Sequence, residues 1–504
     1  MNVSSIFSMI RQILIYTFAL VLLRLISNRI KSFKAKEGLF LAASYLFYFT
    51  WGAWFLAILI FSSLMNYALG SYLRRQTTPS RLWLGIALNI VFLSFFKYLP
   101  SAGIVFVANP VVARLAYIVL PVGMSFWTFQ ALSYLLDIYR GEELDPTLLE
   151  FCLYMAFWPT VLSGPICRLT SMLPQFRQAE VFSWREIGAG TQRMLMGVMM
   201  MVLSQIMADG LAPGQGVDAG FDTAAKLLSG TDAWCLAIGY GFQLFFNFAG
   251  YSHLVIGAAQ VFNIQLHENF KRPYLSTTPS MFWTRWHMSL SFWIRDYVFF
   301  PLATLRSELW WRNFSLVIAM FVFGLWHKGS VLYMVWGIYH GLLLVLHRQW
   351  QRLEGRWKLP VPELFLAPLS WCFTFAAVSL GWIFFRAESG HQAATLFRAV
   401  LSPASYLHHS LPANFYRLCI VAMLGYFAVV GIAAFLDRYA LVGGAKASDN
   451  SVAGAPRRST RVLELLARER LVWSIPIVLV LSMYFFLVLH PEGPQVAPMM
   501  YQIF

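Results

Sequence analysis

The sequence predicts an all-α protein that crosses a membrane many times. Hydrophobic residues make up 59% of the 504 residues and charged residues only 12%, whereas a soluble domain carries about 25% charged residues. Many segments contain roughly 18–25 apolar residues in a row, enough to span a bilayer as a helix. Alternating polar and apolar patterns that would indicate strands are absent. Helices also satisfy the backbone hydrogen bonds that lipid cannot satisfy.

The net charge of +15 comes from 38 basic and 23 acidic residues. The basic residues cluster in short segments between apolar runs, as expected for loops that face the cytoplasm. The charge therefore indicates contact with membrane lipid and does not indicate a nucleic-acid partner. The five cysteines form no C-x-x-C pair, so we expect neither a metal site nor a disulfide framework.

The first apolar run, Ile6 to Ile26, lacks a small-residue cleavage site and is predicted to be a retained helix. Residues Gly38 to Leu73 are too many for one crossing, so we predict two helices that turn at Thr50-Trp51-Gly52. Leu82 to Tyr98 is the next crossing. A basic cluster at the end of the first run and directly after it predicts a cytoplasmic loop and an N-terminus outside. Its members are Arg24, Arg29, Lys31, Lys34 and Lys36.

Two segments have apolar composition but irregular patterns. Pro121 and Gly123 interrupt residues 120–141, which predicts a broken or re-entrant entry into the membrane. Residues 157–169 contain two prolines and a glycine, so we do not expect a plain helix there. Irregular backbone at membrane depth must be sheltered by protein or line a water-filled cavity. Arg168 in this segment is either an anion contact or an interfacial anchor.

The middle of the chain is predicted as an interfacial amphipathic segment (171–190), a crossing (Gly190 to Ala208) and a glycine-rich loop (209–222). The long apolar run from Trp234 to Phe262 follows. It contains Asn247 and His253, which either line a tunnel or form hydrogen bonds between helices, the commoner use of such residues in membranes.

Basic residues at 348–358 predict a cytoplasmic loop, and residues 387–413 are then outside. Residues 443–460 are predicted to be disordered and cytoplasmic. The pattern supports an even number of crossings, about 12. No internal repeat is visible, which counts against an inverted-repeat transporter. The remaining crossings are Leu364 to Phe385, Phe415 to Leu436 and Leu471 to Leu489.

Residues 282–341 place His287, His327 and His340 beside long apolar runs. Ionisable groups at membrane depth are costly, so they are candidate functional groups. Imidazole titrates near neutrality, which suits proton transfer to and from a hydroxyl. We therefore predict that His287 and His327 meet in a polar tunnel and activate a hydroxyl for acyl transfer.

The structural alternative is a helix whose apolar stripe packs in the core. Its members would be Trp283, Trp286, Leu290, Trp293 and Tyr297, at helical spacing. His287 and Ser291 lie one turn apart on another face of such a helix. A lone histidine there is more often a satisfied core residue, but two histidines that bracket one hydrophobic helix favour the functional interpretation.

Several segments together resemble the membrane-bound O-acyltransferase family. The match is closest to its bacterial polysaccharide-modifying branch, which includes the alginate O-acetylases, and runs from about residue 38 to the end. Each segment is weak alone, but their order is specific. They are LPVGMSFWTFQALSYLLDIYRG (120–141), SGPICR (163–168), FNFAGYSHLVIGAAQVFNIQLHENFKRPY (246–274), TRWHMSLSFWIRDYVFFPL (284–302), GLWHKGSVLYMVWGIYHG (324–341) and GWIFFRAES (381–389).

The resemblance implies one transmembrane domain over 1–504, a helical bundle with re-entrant segments around a central tunnel. It implies His327 and His287 as catalytic residues, acetyl-CoA as donor substrate, and no tightly bound cofactor or metal. Lys328 departs from the family's GLWHG pattern, and acidic residues are frequent where this chain has Asn247 and His253. The residues expected to bind substrate or line the tunnel are Arg285, Ser291, Arg295, Asp296, Trp286, Trp326, Asn247, His253 and His340.

The function implied is that of a multi-pass enzyme of the bacterial inner membrane. It would move acetyl groups from cytoplasmic acetyl-CoA for O-acetylation of an exported polysaccharide of the alginate or cellulose type. A separate periplasmic acyltransferase would be its partner. Arg285 and Arg295 would steer the anionic donor or contact lipid headgroups. The alternatives are peptidoglycan O-acetylation, D-alanyl transfer to teichoic acid, and a transporter or flippase, which would need acidic groups at membrane depth.

Overall fold

The computed structural model describes residues 19–100, 118–178, 183–210, 214–223, 228–357 and 363–449. These residues form helices joined by turns and contain no strand, which confirms the all-α prediction. Six of the described helices are long and apolar enough to cross a membrane. They confirm a multi-pass membrane protein. These spans are Ala53–Arg75, Pro79–Lys97, Leu309–His327, Val331–Glu354, Leu366–Arg386 and Ala413–Ala433.

The chain begins with four helices, which are α1 (residues 19–29), α2 (Phe33–Phe49), α3 (Ala53–Arg75) and α4 (Pro79–Lys97). The predicted hairpin is confirmed, since α2 ends at the predicted turn and α3 begins directly after Gly52. Gly52 has a φ of 140°, which a side chain would disfavour. Residues 1–18, which include most of the first predicted helix, lie outside the described part of the chain.

The next helices are α5 (Met124–Tyr139), α6 (Leu148–Ala156) and α7 (Leu169–Phe176). The interruption before α5 is confirmed, because Gly123 starts the helix from a φ of 79°. A Cβ on Gly123 would lie 1.9 Å from the carbonyl oxygen of Val161. The irregular segment before α7 therefore packs directly on the start of α5, and it is non-helical as predicted.

Three helices follow, α8 (Trp184–Asp209), α9 (Val217–Thr223) and α10 (Gly230–Val261). Helices form at both predicted crossings and are longer than the apolar runs, but neither is among the six described helices that are long and apolar enough to cross a membrane. The loop predicted at 209–222 is wrong in part, because α9 forms within it. The interfacial segment predicted at 171–190 contains α7 residues and the first turns of α8, and residues 179–182 between them lie outside the described part.

Helices α8 and α10 touch along a glycine seam, which consists of Gly190, Gly197, Gly250 and Gly257. A Cβ on Gly197 would lie 2.4 Å from the carbonyl oxygen of Gly250, and one on Gly190 would lie 2.6 Å from that of Gly257. The contacts follow each other in opposite order along the two helices, because Gly190 meets Gly257 and Gly197 meets Gly250. The helices therefore run antiparallel. Small residues allow this close backbone approach, as is common between helices in membranes.

The stretch predicted as one striped helix is broken into short pieces. These are a 3₁₀ turn (Pro273–Leu275), α11 (Pro279–Trp283), α12 (Met288–Ile294), one π-helical turn (Arg295–Phe299) and α13 (Phe300–Ala303). A continuous helix is wrong because the backbone at His287 is left-handed, with a φ of 43°. The five stripe residues are nevertheless all buried, since the turn returns the chain to the same core.

The last part of the described chain, from Leu309 to Asp449, contains several long helices. The predicted loop at 348–358 is helical as far as Trp357, and the helix from Ala413 continues to Asp449. The part of the predicted disordered segment 443–460 that the structure describes is thus helical, and the rest lies outside the described residues, as does Leu471 to Leu489. The elements are α14 (Leu309–His327), α15 (Val331–Trp357), α16 (Glu363–Arg386), α17 (Gly390–Leu401), a 3₁₀ turn (Pro403–Leu407) and α18 (Ala413–Asp449).

Candidate active site

The hairpin of α14 and α15 positions His327, the last residue of α14. A Cβ on Gly324 would lie 2.1 Å from the carbonyl oxygen of Tyr333, and one on Gly337 would lie 2.3 Å from that of Met320. The two helices therefore approach to backbone contact on either side of the turn. His327 is held at this turn with only 5% of its surface exposed.

The end of α4 caps the end of α14. The Lys97 ammonium donates a hydrogen bond to the carbonyl oxygen of Trp326. The Tyr98 hydroxyl donates to the carbonyl oxygen of Leu325 over 3.1 Å. The last carbonyl groups of a helix have no partner within it, and a cation near them is favourable. Lys97, the last residue of α4, and Tyr98 directly after it thus hold the turn that carries His327.

His287 lies between α11 and α12 and is 1% exposed. Its Nδ1 lies 3.1 Å from Oδ1 of Asn269, which is completely buried. The same oxygen accepts hydrogen bonds from the backbone N–H of Ser289 (3.2 Å) and from its hydroxyl (3.0 Å). The Asn269 amide group donates in turn to the hydroxyl of Ser252 over 3.2 Å. A chain of hydrogen bonds therefore fixes the imidazole ring.

The arrangement determines which nitrogen of His287 can accept a proton. The Ser289 backbone N–H can only donate, so the Asn269 atom facing it is the carbonyl oxygen, which can only accept. The Nδ1 of His287 must then carry the hydrogen, and Nε2 presents its lone pair. Within the described part of the chain, this buried Nε2 has no hydrogen-bond partner. His287 is thus arranged as a proton acceptor through Nε2.

The three predicted histidines belong to one aromatic cluster. Phe323 joins His287 and His327, with ring centroids 6.5 Å and 5.3 Å away. Trp336 joins His327 and His340, at 5.5 Å and 5.0 Å. The structure thus brings His287 together with His327 and His340, which lie 40 and 53 positions later in the sequence. Their catalytic roles, and the tunnel around them, stay predictions.

Three indole N–H groups accompany the histidines. The Nε1 atoms of Trp283, Trp326 and Trp336 are buried and have no hydrogen-bond acceptor among the described residues. Trp326 packs on His327 at 4.8 Å, and Trp283 packs on His340 at 5.2 Å. Indole nitrogen can only donate. Buried donors of this kind stabilise an oxygen that becomes negative during a reaction.

Two of the other predicted residues support the site from outside. The ring of Trp286 packs on Trp382 at 4.8 Å. The Ser291 hydroxyl donates to the carbonyl oxygen of Trp286 over 3.0 Å. Its partner is therefore the backbone of the turn that precedes His287, where it stabilises the broken helix.

Three predicted residues lie elsewhere. Asn247 is half-buried on α10. His253, two turns further along, lies beside the ion pair of Arg193 and Glu268. Arg285 lies near Tyr426. The neighbours that the structure shows for His253 and Arg285 lie outside the group of His287, His327 and His340.

Arg295 and Asp296 lie at the far end of α12. Nε of Arg295 is 2.7 Å from Oδ1 of Asp296, and Arg168 is 2.5 Å from Oδ2. Burial acts to raise the pKa of Asp296, but the hydrogen bonds from these two arginines outweigh it and hold the pKa below its ordinary value of 3.8. Arg168 therefore contacts a carboxylate of the protein rather than only the membrane interface.

Sequence reasoning did not assign Asn269, Lys97 or Tyr98 to the site. Asn269 follows α10 in a short polar segment between apolar runs, and that polarity is the signal that could have found it. Lys97 is a single cation at the end of an apolar run, a position that basic interfacial anchors also occupy. Only its contact with the carbonyl end of α14 distinguishes it.

Comparison with known proteins identifies the family of this chain. Residues 40–385 match the membrane-bound O-acyltransferase family. A protein of Pseudomonas putida named probable alginate O-acetylase is 33% identical over 377 residues, or 72% of this chain and 74% of the relative. The peptidoglycan O-acetyltransferase of Helicobacter pylori is 30% identical over 412 residues, 74% and 75% of the two chains. The teichoic acid D-alanyltransferase of Streptococcus thermophilus is 32% identical over 289 residues, which is 52% of this chain and 67% of the relative.

These relatives are named as an O-acetylase, an O-acetyltransferase and a D-alanyltransferase. The region that matches the family contains His287, His327 and His340. The resemblance inferred from the sequence motifs is confirmed, and with it the assignment as an O-acyltransferase. The chain belongs to the membrane-bound O-acyltransferase family.

Proposed function

We propose that this protein is an O-acetyltransferase of the bacterial inner membrane. It takes acetyl groups from cytoplasmic acetyl-CoA and serves the O-acetylation of an exported polysaccharide of the alginate or cellulose type. Relatives named probable alginate O-acetylase, matched over 72–83% of this chain, support the polysaccharide as acceptor. A separate periplasmic acyltransferase receives the group and completes its delivery.

The observation that carries the proposal is the oriented His287 beside His327. Nε2 of His287 takes the proton of an acceptor hydroxyl while the hydroxyl oxygen attacks the carbonyl carbon of the thioester. A positioned general base of this kind contributes about 10²–10⁴-fold to rate. Asn269 keeps the ring turned so that Nε2 is the nitrogen available for this step.

The attack forms a C–O bond and leaves a negative charge on the former carbonyl oxygen. His327 and the indole N–H groups of Trp326 and Trp336, which pack on it, are the candidate donors to this oxygen, and each such donor is worth about 2.7–4 kcal/mol of barrier. Collapse of the intermediate breaks the C–S bond. The departing thiolate takes the proton from the imidazolium of His287, so the acetyl ester and the free thiol are produced and the histidine is neutral again.

Two related reactions remain as alternatives, because a peptidoglycan O-acetyltransferase and teichoic acid D-alanyltransferases also match the chain. The D-alanyl relatives cover only 52–53% of it, which favours O-acetylation. A transporter or flippase is set aside, since the family consists of acyltransferases.

The test is His327→Ala in the producing cell, with ester-linked acetate measured in the exported polysaccharide. We expect acetate to be lost while the protein level in the membrane is unchanged. His391→Ala is the matched control, because that imidazole is exposed on α17. Normal acetate in the His327→Ala strain would remove the catalytic assignment. Acetate missing from peptidoglycan instead of the polysaccharide would move the proposal to the first alternative.

A further inference from the structure

The hairpin of α14 and α15 carries His327 at its turn and several arginines at its open end. The two helices stay in contact along the hairpin, since a Cβ on Gly341 would lie 2.9 Å from Cα of Val317. Towards the open end, Arg348 of α15 donates to the side-chain oxygen of Asn313 of α14 over 3.4 Å. The basic residues of this end predict that it faces the cytoplasm.

Three arginines come together at this open end, and we call Arg312, Arg348 and Arg352 the hairpin arginines. Arg312 belongs to α14, whereas the other two lie one turn apart on α15. Arg312 and Arg352 are both close enough to Arg348 to repel its guanidinium group. The fold therefore gathers like charges from two helices, which costs free energy unless an anion lies between them.

The hairpin arginines form no ion pair within the described part of the chain. The nearest acidic residues in sequence, Glu308 and Glu354, are both exposed. Other arginines of the chain do bind a carboxylate, so the hairpin arginines differ from them in leaving their charge to a ligand. The paired arginines are Arg74, Arg168, Arg177, Arg193, Arg295 and Arg386.

Arg348 is the member that gains most from an anionic ligand, because it is partly buried while the other two are exposed. Its guanidinium carbon lies 5.9 Å from the ring centroid of Phe299, and its hydrogen bond to Asn313 goes to a neutral oxygen. A cation withdrawn from water is costly unless it is paired. A guanidinium has five N–H donors, so Arg348 has donors left for a ligand.

Exposed apolar side chains adjoin the hairpin arginines along the chain. Phe300, Trp350 and Leu353 are 48%, 49% and 43% exposed. Both helices of the hairpin are long and apolar enough to cross a membrane, and tryptophan is typical of the level where lipid meets water. A ligand at this place therefore has to combine an anionic group with hydrocarbon.

An anionic phospholipid has both properties. Its phosphate oxygens accept N–H groups from guanidinium, often two at a time, and its acyl chains lie against apolar side chains. Arginines near the cytoplasmic surface attract such lipids by about 1 kcal/mol each. A zwitterionic lipid fits less well, because its ammonium group adds a positive charge that the hairpin arginines repel.

We propose that the hairpin arginines form a binding site for the phosphate of an anionic phospholipid. The bound lipid neutralises the repulsion between α14 and α15 and so holds the two helices together at the end opposite His327. The lipid is a ligand of the fold and takes no part in acetyl transfer. The inference therefore goes beyond the proposed function and does not rest on it.

The test uses the full-length protein in vesicles of phosphatidylcholine with increasing fractions of phosphatidylglycerol or cardiolipin. Native mass spectrometry after mild extraction measures which lipid stays bound, and thermal unfolding measures the midpoint. We expect the wild type to retain anionic lipid and its midpoint to rise to a plateau. Arg348→Gln and Arg352→Gln should each weaken retention by about tenfold, as expected for a lost hydrogen bond to a charged group.

Arg75→Gln is the matched control, because Arg75 is exposed at the end of α3 that is also predicted to be cytoplasmic. It removes the same charge and should retain lipid as the wild type does. Equal retention in the wild type and both hairpin variants would overturn the site. An equal loss in Arg75→Gln would also overturn it, because net charge alone would then explain binding.

Two further measurements separate a lipid site from other roles of these arginines. In pure phosphatidylcholine, Arg348→Gln should be at least as stable as the wild type, because it removes repulsion. A lower midpoint there would show that Arg348 supports the fold without lipid, against the proposal. Inorganic phosphate added to phosphatidylcholine vesicles should leave the midpoint unchanged, and a rise would point to a free anion instead of a lipid. None of these readouts depends on acetyl transfer, so their failure leaves the proposed function intact.

Discussion

Asn269 holds His287 twice, once through its side chain and once through its backbone. Its Oδ1 lies 3.1 Å from Nδ1 of the imidazole, and its carbonyl oxygen accepts the N–H of Met288 over 2.9 Å. The residue thus couples the segment that follows α10 to the turn that begins α12. It fixes both the position of the histidine and the direction in which its ring faces.

Replacing Asn269 by alanine should lower kcat by at least about tenfold, part of the 10²–10⁴-fold that general-base catalysis contributes. KM for the donor should change little, because Asn269 acts through the ring of His287. Steady-state kinetics of the purified variant measure both parameters. Ser289→Ala is the control, since it removes one hydrogen bond to the same oxygen and leaves the bond to His287. Equal losses in the two variants would mean that Asn269 supports only the fold.

His287 and His327 should act as one unit. We expect His287→Ala and His327→Ala each to reduce acyl transfer by about 10²-fold or more. The double variant should then lose little further activity, because residues that act together are strongly non-additive. Single-turnover transfer from a labelled thioester measures the three rates. Effects that multiply would contradict a shared step.

The cap on α14 predicts a role for Lys97 in activity as well as in stability. Lys97→Met removes the donor to the Trp326 carbonyl oxygen, and leaving such a buried group without a partner costs about 1–3 kcal/mol. Because His327 is the next residue, we expect transfer to fall with the thermal midpoint. Lys97→Arg keeps the charge and should recover part of both. Full activity in Lys97→Met would show that the turn holds without its cap.

The glycine seam predicts which glycines tolerate a methyl group. Gly197→Ala places a Cβ 2.4 Å from the Gly250 carbonyl oxygen, so the helices must separate, at a cost of about 1–3 kcal/mol. Gly425→Ala is the matched helical control, because no atom lies within 4 Å of a Cβ there. It should be neutral or stabilising by up to about 1 kcal/mol. Thermal unfolding in detergent measures both, and similar midpoints would contradict the seam.

The environment of Glu150 predicts how the stability of the fold changes as the pH is lowered. Burial acts to raise the pKa of this carboxyl, but hydrogen bonds from Arg177 and Thr147 outweigh it, and the pKa lies below its ordinary value of 4.5. A depressed pKa contributes stability that is complete above about pH 4.5 and is lost as the pH falls through the folded-state value. The thermal midpoint measured from pH 6 to pH 3 should therefore fall more steeply for the wild type than for Glu150→Gln.

The long helices could be predicted from the sequence because each carries its own signal. Apolar length predicts the crossings, and Gly52 and Gly123 mark turns through the conformations that only glycine adopts readily. Where the composition predicts a different local structure from the one observed, a tertiary contact explains the difference. Residues 217–223 look like a glycine-rich loop, but they form α9, whose Gly220 packs against Leu236 of α10.

Some residues of the candidate site could be predicted from the sequence, and others could not. The sequence singles out His287 and His327, because ionisable side chains are rare in apolar runs. It could not indicate Asn269 or Lys97, because their roles depend on contacts with residues 18 and 229 positions away. The break at His287 was also hidden, because the residues on either side of it keep helical spacing although the backbone turns.

The left-handed backbone of His287 affects how a saturation library at this codon should be interpreted. Asparagine tolerates that conformation, whereas β-branched residues do not. Valine or isoleucine would therefore shift the main chain in addition to deleting the imidazole, and their inactivity would not by itself report on chemistry. Asparagine is the informative replacement, because it abolishes the proton acceptor on a backbone that has no reason to move.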